Sequence, residues 1–271
     1  MSFIKKWIKI AKKLKKQSIQ KWAKFIKAVN TKIKFLKKLL LTVAVISGIL
    51  GTSVLIPKAH TKWLDYTIGK NTLYIEGVGR SGTAFEIVAP SGKVYTVTNK
   101  HVCDIANVHR ELAIFDKLNS KRLIPIKIIE VSAEADLCIL EGLPGYSGLK
   151  IGSVSSIGDS VYAYGYPLGG ALNISKGRIK SFSNVELATN TAVDLCNGKN
   201  NNIRYNFWGM PVCTVSYLSI ATDALIYPGN SGGPLVNEMG QVIGVIFAGN
   251  NLTHWGHAVM LQDLQSFISA Y

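Results

Sequence analysis

Three regimes of hydrophobic patterning follow one another along the chain. From Phe3 to Leu36 there is no glycine or proline, and apolar residues recur at Ile4, Trp7, Ile8, Ala11 and Leu14, then at Trp22, Phe25, Ile26, Val29, Ile33 and Leu36. Spacings of three and four set these on one helical face with lysines over the other, which predicts a lysine-rich amphipathic arm over residues 1–38. Asn30 and Thr31 mark an expected break between two helices. Leu39 to Ile56 is then an uncharged run of 18 residues ending at Pro57. As a helix it would reach roughly 27 Å at about 1.5 Å per residue, close to a bilayer core, so one transmembrane helix is expected over 39–56.

After a stretch read as a linker, residues 57–70, the period changes to two. Short strand-like runs at Leu73–Val78, Thr83–Val88, Val94–Thr98, Glu111–Phe115, Leu123–Val131 and Leu137–Leu140 predict a first sheet. Runs at Val161–Tyr164, Ala171–Phe182, Val185–Ala188, Val215–Thr222, Pro234–Val236, Val242–Phe247 and His257–Met260 predict a second, and residues 261–270 a terminal helix. Asn184 to Val212, with its NGKNNN middle, reads as a long polar loop. The body is therefore all-β.

Charge changes the picture at the arm. The formal net charge is +15, yet residues 1–58 hold fifteen lysines and no acidic residue, leaving 31 − 15 = 16 basic against 16 acidic residues in the rest. A neutral body gives no reason to expect a nucleic-acid partner, whereas the arm suits an anionic membrane surface. Fourteen lysines precede the apolar run and only Lys58 and Lys62 follow it closely, which puts the N-terminus in the cytoplasm and the body on the far, periplasmic or extracellular, side. A cleaved signal peptide is the competing reading, but a basic region of 38 residues is too long for one. Small residues Ser47, Gly48, Gly51, Thr52 and Ser53 along the run leave a homo-oligomer open.

Chemistry concentrates at Pro228 to Leu235, PGNSGGPL, where glycines flank Ser231 and free the backbone for a turn that aims its N–H groups at one point. A serine nucleophile needs that exposure and those donors, here Gly229 and Ser231, together with a histidine base and a carboxylate to orient it. His101 ends the strand-like run VYTVTNKH, and Asp136 opens the apolar strand DLCIL. Asp104 and Asp159 read instead as cap and turn aspartates, and His60 and His109 as surface residues in polar sequence.

The segments GTAFEI (Gly82 to Ile87), TNKHV (Thr98 to Val102), ADLCIL (Ala135 to Leu140), GDSVYAYGYPLG (Gly158 to Gly169) and GNSGGPL (Gly229 to Leu235) resemble, in the same order, those of trypsin-like serine peptidases, most of all the HtrA-like branch. The resemblance implies two six-stranded antiparallel barrels, about 71–145 and 150–260, with His101 and Asp136 from the first and Ser231 from the second meeting in the cleft between them. It implies a serine endopeptidase acting on proteins or peptides, with no metal or organic cofactor. It maps the substrate pocket onto Leu225, Ile226, Phe247, Ala248, Gly249, Gly256 and His257. An apolar residue before the cut is expected, since Leu225 and Ile226 carry no charge. His254 and His257 keep an acidic preference open as an alternative. Asn230 stands where digestive relatives use an aspartate to pair with a new N-terminus, and with the peptidase domain expected over residues 71–271 no PDZ domain is expected. Two other functions stay open: a catalytically silent peptide-binding module, and a membrane-active basic helix with the barrels as cargo.

The cysteines remain undecided at this point. None of Cys103, Cys138, Cys196 and Cys213 has metal-binding spacing; the first two are expected to be buried near each other as free thiols, with a disulfide open, and the last two to bridge only in an oxidising compartment.

Overall fold

A computed structural model describes residues 24, 26–35, 38, 62–77, 80–103, 111–115, 123–132, 134–153, 155–188, 196, 201–250 and 255–271. The chain divides into two units, Met1–Thr61 and Lys62–Tyr271. In the first, residues 26–35 are helical through Asn30 and Thr31, so the expected break does not occur there. The Thr31 hydroxyl donates to the Lys27 carbonyl one turn back, at 2.9 Å, and so satisfies itself within the helix. Among the described residues no helix is long and apolar enough to cross a membrane, and the 39–56 run lies outside them.

Residues 62–70, expected as linker, are helical. Leu64 and Ile68, four apart, are buried at 3% and 0% exposure and pin this helix to the core. The strands then form two antiparallel sheets. β1 (Thr72–Gly77), β2 (Arg80–Val88), β3 (Val94–Thr98), β4 (Glu111–Phe115), β5 (Leu123–Val131) and β6 (Cys138–Glu141) close as a barrel in the order β1-β2-β3-β6-β5-β4.

The second sheet has seven strands, not six: β7 (Ser160–Gly165), β8 (Asn173–Ala188), β9 (Asn201–Tyr205), β10 (Pro211–Thr222), β11 (Pro234–Asn237), β12 (Val242–Asn250) and β13 (Trp255–Met260). Their order is β13-β12-β11-β7-β8-β10-β9, and β13 also pairs with β10, so β9 lies outside the ring that this pairing makes. Two expected runs, Ala171–Phe182 and Val185–Ala188, are one 16-residue strand, β8, because Ser183 and Asn184 keep their ladder partners Ser219 and Leu218. β9 sits inside the stretch expected to be loop, where Asn201 and Asn202 pair with Val215 and Thr214. The helix Leu261–Ile268 follows β13.

Three apolar clusters account for the packing. Leu73, Ile75, Ala84, Ile126 and Leu140 belong to one in the first barrel, and Val161, Ala163, Ile179, Ile220, Leu235 and Ala258 to one in the second sheet. The third is shared: Phe85, Val97, Leu137 and Ile139 of the first barrel meet Tyr164, Val236, Val245 and Val259 of the second sheet, with Leu64, Ile68, Leu264 and Ile268 from the two flanking helices. Strands β2, β3 and β6 each turn an apolar row, Phe85 and Ile87, Tyr95 and Val97, and Ile139, into this shared cluster, which fixes the barrels against each other and with them the cleft.

Cys103 and Cys138, expected as free thiols, are disulfide-bonded, as are Cys196 and Cys213. The first bridge joins the helix Lys100–Cys103, which holds His101, to the start of β6, two residues after Asp136.

Candidate active site

β3 ends at Thr98, and the chain turns into the short helix Lys100–Cys103, which presents His101 at the surface. Asp136 lies just before β6 at 4% exposure. Its carboxylate grips His101 twice: Oδ2 is 2.7 Å from the ring Nδ1, and Oδ1 accepts the His101 backbone N–H at 3.0 Å. Asn99 adds a bond from its side-chain amide to the Asp136 carbonyl at 2.9 Å. A carboxylate at Nδ1 holds the proton there and leaves Nε2 able to accept one. The side chain of His101 is 48% exposed, so that nitrogen can meet solvent or a ligand.

A cleft of about 360 Å³ is lined by Ser81, His101, Val102, Leu168, Pro228, Gly229 and Ser231. His101 from the first barrel and Ser231 from the second sheet thus share one cavity, with Asp136 buried behind the imidazole. The Ser231 hydroxyl donates to the Phe247 carbonyl at 3.2 Å, and no hydrogen bond joins it to His101 in this state. A rotation about one side-chain bond separates that rotamer from others, and such bonds commonly tighten only with substrate present.

The backbone around Ser231 is held from several sides. The N–H groups of Asn230, Gly232 and Gly233 donate to Tyr227, Ile246 and Asn230 carbonyls at 3.0, 2.7 and 2.9 Å. Those of Gly229 and Ser231 donate to nothing among the described residues. They are the pair expected to receive an oxyanion. The 228–229 peptide has a fixed orientation, because the Leu168 N–H donates to the Pro228 carbonyl at 2.7 Å. In a trans peptide the next N–H points the opposite way, so the Gly229 donor faces away from Leu168. Gly229 takes φ +97, and a Cβ there would meet the Tyr166 carbonyl at 2.5 Å and the Leu168 nitrogen at 2.8 Å. Leu168 is itself at φ 53, the one non-glycine at positive φ among the described residues.

Two contributors carry no signal of their own in the sequence. Thr83, on β2, donates its hydroxyl to the Gly229 carbonyl at 2.7 Å and accepts the Tyr166 N–H at 3.0 Å. Its backbone N–H also donates to the Ser231 carbonyl at 2.7 Å, so one residue of the first barrel ties down the nucleophile loop of the second. Leu168 acts through its amide, which any residue but proline supplies.

The expected pocket residues divide. Ile226 lies against Gly256 and Gly249, where a Cβ would meet its Cδ1 at 2.1 Å and its carbonyl at 2.6 Å, and Phe247 reaches Ser231 through its carbonyl. Ala248 pairs with His257 in the β12–β13 ladder, and Leu225 donates its N–H to Ser175 Oγ at 2.7 Å. None of these residues lines the cleft described above. His257, the other expected pocket residue, has its Nδ1 3.1 Å from Ser219 Oγ and its ring near Phe247, and burial pushes its pKa down. His60, Asp104, His109 and His254 lie outside the described residues. Asp159 sits in the turn before β7, where its carboxylate accepts the Ser156 N–H at 2.8 Å.

Two barrels packed around a His–Asp pair and a glycine-flanked serine define the class, and residues 82–245 match the family model of the trypsin-like peptidase domain. The chain belongs to that family. Among curated proteins it is similar to a serine protease Do-like HtrB of Bacillus subtilis, at 33% identity over 175 residues, covering 61% of this chain and 31% of that protein. It is also similar to a mitochondrial serine protease HTRA2 of Drosophila ananassae, at 29% identity over 204 residues, covering 74% and 40% of the two chains. The chain thus matches well under half the length of these relatives. Among solved structures, the Rv3671c protease of M. tuberculosis in its active form aligns with a TM-score of 0.55 at 19% identity, over 75% of this chain and 81% of that one. This last likeness is one of fold.

Proposed function

We propose that this protein is a membrane-anchored serine endopeptidase that hydrolyses peptide bonds through an acyl-enzyme. Ser231 attacks the scissile carbonyl, His101 Nε2 takes its proton and returns it to the leaving amine, and Asp136 holds the imidazole in the tautomer this requires. The oxyanion is received by the N–H groups of Gly229 and Ser231. A water molecule then repeats the sequence on the ester and releases the acid. The observation that carries the reading is the pairing of a carboxylate-held His101 with Ser231 across one cleft, beside two amides that donate to nothing among the described residues. An apolar residue before the cut is supported by Ile226 against Gly249 and Gly256, and by the engagement of His257 with Ser219.

Anchoring is supported by the 18-residue uncharged run behind fourteen lysines, which also favours a cytoplasmic N-terminus. The two disulfides of the body agree with placement on the far, oxidising side. The test is hydrolysis of a peptide library by the full chain in vesicles. The reading expects cleavage after leucine, valine or phenylalanine, and none by Ser231→Ala. Peptide binding without cleavage by the wild type would favour a silent binding module instead.

A further inference from the structure

The hairpin of β9 and β10 ends in an apolar tip that catalysis leaves unused. Tyr205, Phe207, Trp208 and Met210 are 73%, 93%, 78% and 56% exposed, and the Phe207 and Trp208 rings meet edge to face with centroids 5.3 Å apart. Holding such groups in water is unfavourable, and a cluster of them at one point marks a contact surface. The tip is also rigidly built. Asn206 Oδ1 accepts the N–H groups of Trp208 and Met210 at 3.0 Å each. The Asn206 N–H donates to the Met210 carbonyl and the Gly209 N–H to the Asn206 carbonyl, both at 2.9 Å, with Gly209 at the φ of +72 that the turn demands. At its base Cys213 is bonded to Cys196, and Arg204 forks onto Glu186 at 2.8 and 2.5 Å, cancelling the nearest charges.

We infer that this tip is a second membrane contact, with Phe207, Trp208 and Met210 dipping into the interfacial layer of the bilayer to which residues 39–56 anchor the chain. The inference rests on the anchoring reading above. Three observations favour lipid over a protein partner. From Tyr205 to Val212 there is no charged residue, whereas a protein-binding rim normally carries polar and charged groups. The amides of Asn206, Trp208, Gly209 and Met210 are all satisfied inside the loop, so the tip can leave water without stranding them. Tryptophan and tyrosine favour the headgroup level. On the anchoring reading, Ile56 and the buried Leu64 are eight residues apart in sequence, a reach of roughly 28 Å at most, which bounds how far Leu64 can stand from the end of the anchor.

The test uses the full chain in phosphatidylcholine–phosphatidylglycerol vesicles whose acyl chains carry bromine at shallow or deep positions. The contribution of Trp208 is read as the difference in fluorescence between wild type and Trp208→Phe, which keeps the tip aromatic. The inference expects shallow bromine to quench that contribution at least about twofold and deep bromine less, as for interfacial insertion. Phe207→Ser combined with Met210→Ser should abolish the quenching. A Trp208 signal reached by aqueous iodide but not by bromolipid overturns it. So does one shielded from both quenchers, the mark of a tip covered by a second copy or another protein. Extraction of the same vesicles at alkaline pH separates the two readings. A chain that stays in the pellet with Trp208 unquenched refutes only the hairpin contact, a chain released with Trp208 unquenched refutes both, and quenching in a released chain leaves the hairpin contact standing without the anchor.

Discussion

Asp136 makes two bonds to His101, one to the ring and one to the backbone, so it sets both the tautomer and the place of the helix turn that carries the ring. Asp136→Asn keeps the shape but can present an N–H to Nδ1, which drives the proton to Nε2. Its kcat is expected to fall about 10,000-fold with the melting temperature nearly unchanged, a split that steady-state kinetics and thermal melting resolve. Gly229→Ala places a methyl group 2.5 Å from the Tyr166 carbonyl at a φ that alanine avoids, so the 228–229 peptide must turn. Losing that donor is expected to lower kcat by about 100-fold to 1,000-fold with KM little changed. That Ser231 and His101 share one cleft with Asp136 behind the ring was legible because each sits in a local motif. Thr83 was not, because its partner Gly229 is 146 residues away and a threonine in a strand looks like any other. The contact of His257 Nδ1 with Ser219 Oγ, at 3.1 Å, was hidden in the same way, because 38 residues separate the two.

At the level of strands, Glu86 of β2 is the main electrostatic liability. It is 0% exposed, Thr96 Oγ1 and the Leu143 N–H donate to its Oε1 at 2.7 and 3.2 Å, and its Oε2 has no partner among the described residues. Burial pushes its pKa up from 4.5 to about 7. Below the unfolded value both states hold the proton and the group is neutral in its effect. As pH rises toward 7 the unfolded chain ionises freely while the folded one resists, so stability falls, by an order of about 3 kcal/mol once both are ionised. Between pH 5 and 7.5 the stability of Glu86→Gln relative to wild type should rise in thermal melts, since the substitution removes the Glu86 loss and leaves the opposite contribution of His257 in both proteins. The Cys103–Cys138 bridge closes a separation of 35 residues, and replacing both cysteines by alanine is expected to cost about 3 to 4 kcal/mol in denaturant titrations. Strands with clean alternation were legible from pattern alone. β9 was not, since asparagines are poor strand formers and only the ladder to β10 recruits them. The helix at 62–70 was hidden by its shortness and polarity, although Leu64 and Ile68 carried the spacing.

For the molecule as a whole, two β-sheets in this order follow from the resemblance that five ordered motifs carry, whereas the seventh strand of the second sheet and the packing of the sheets do not. The shared cluster of Phe85, Leu137, Tyr164 and Val245 needs residues from both halves at once. The same holds for the cleft, whose walls take His101 from one half and Ser231 from the other. Charge asymmetry gives a prediction at this scale. The full chain is expected to float with vesicles and to resist alkaline extraction, while neutral replacements of the lysines before residue 39 should scramble its orientation, as protease protection would report.

Ser231 is the residue on which the proposed chemistry depends. Treating the purified full chain with a fluorophosphonate and mapping the adduct by mass spectrometry is the most direct measurement. One phosphonyl group on the peptide containing Ser231, lost in Ser231→Ala and greatly slowed in His101→Ala, is the expected result. An adduct on another residue, or proteolysis that persists unlabelled in Ser231→Ala, would contradict it.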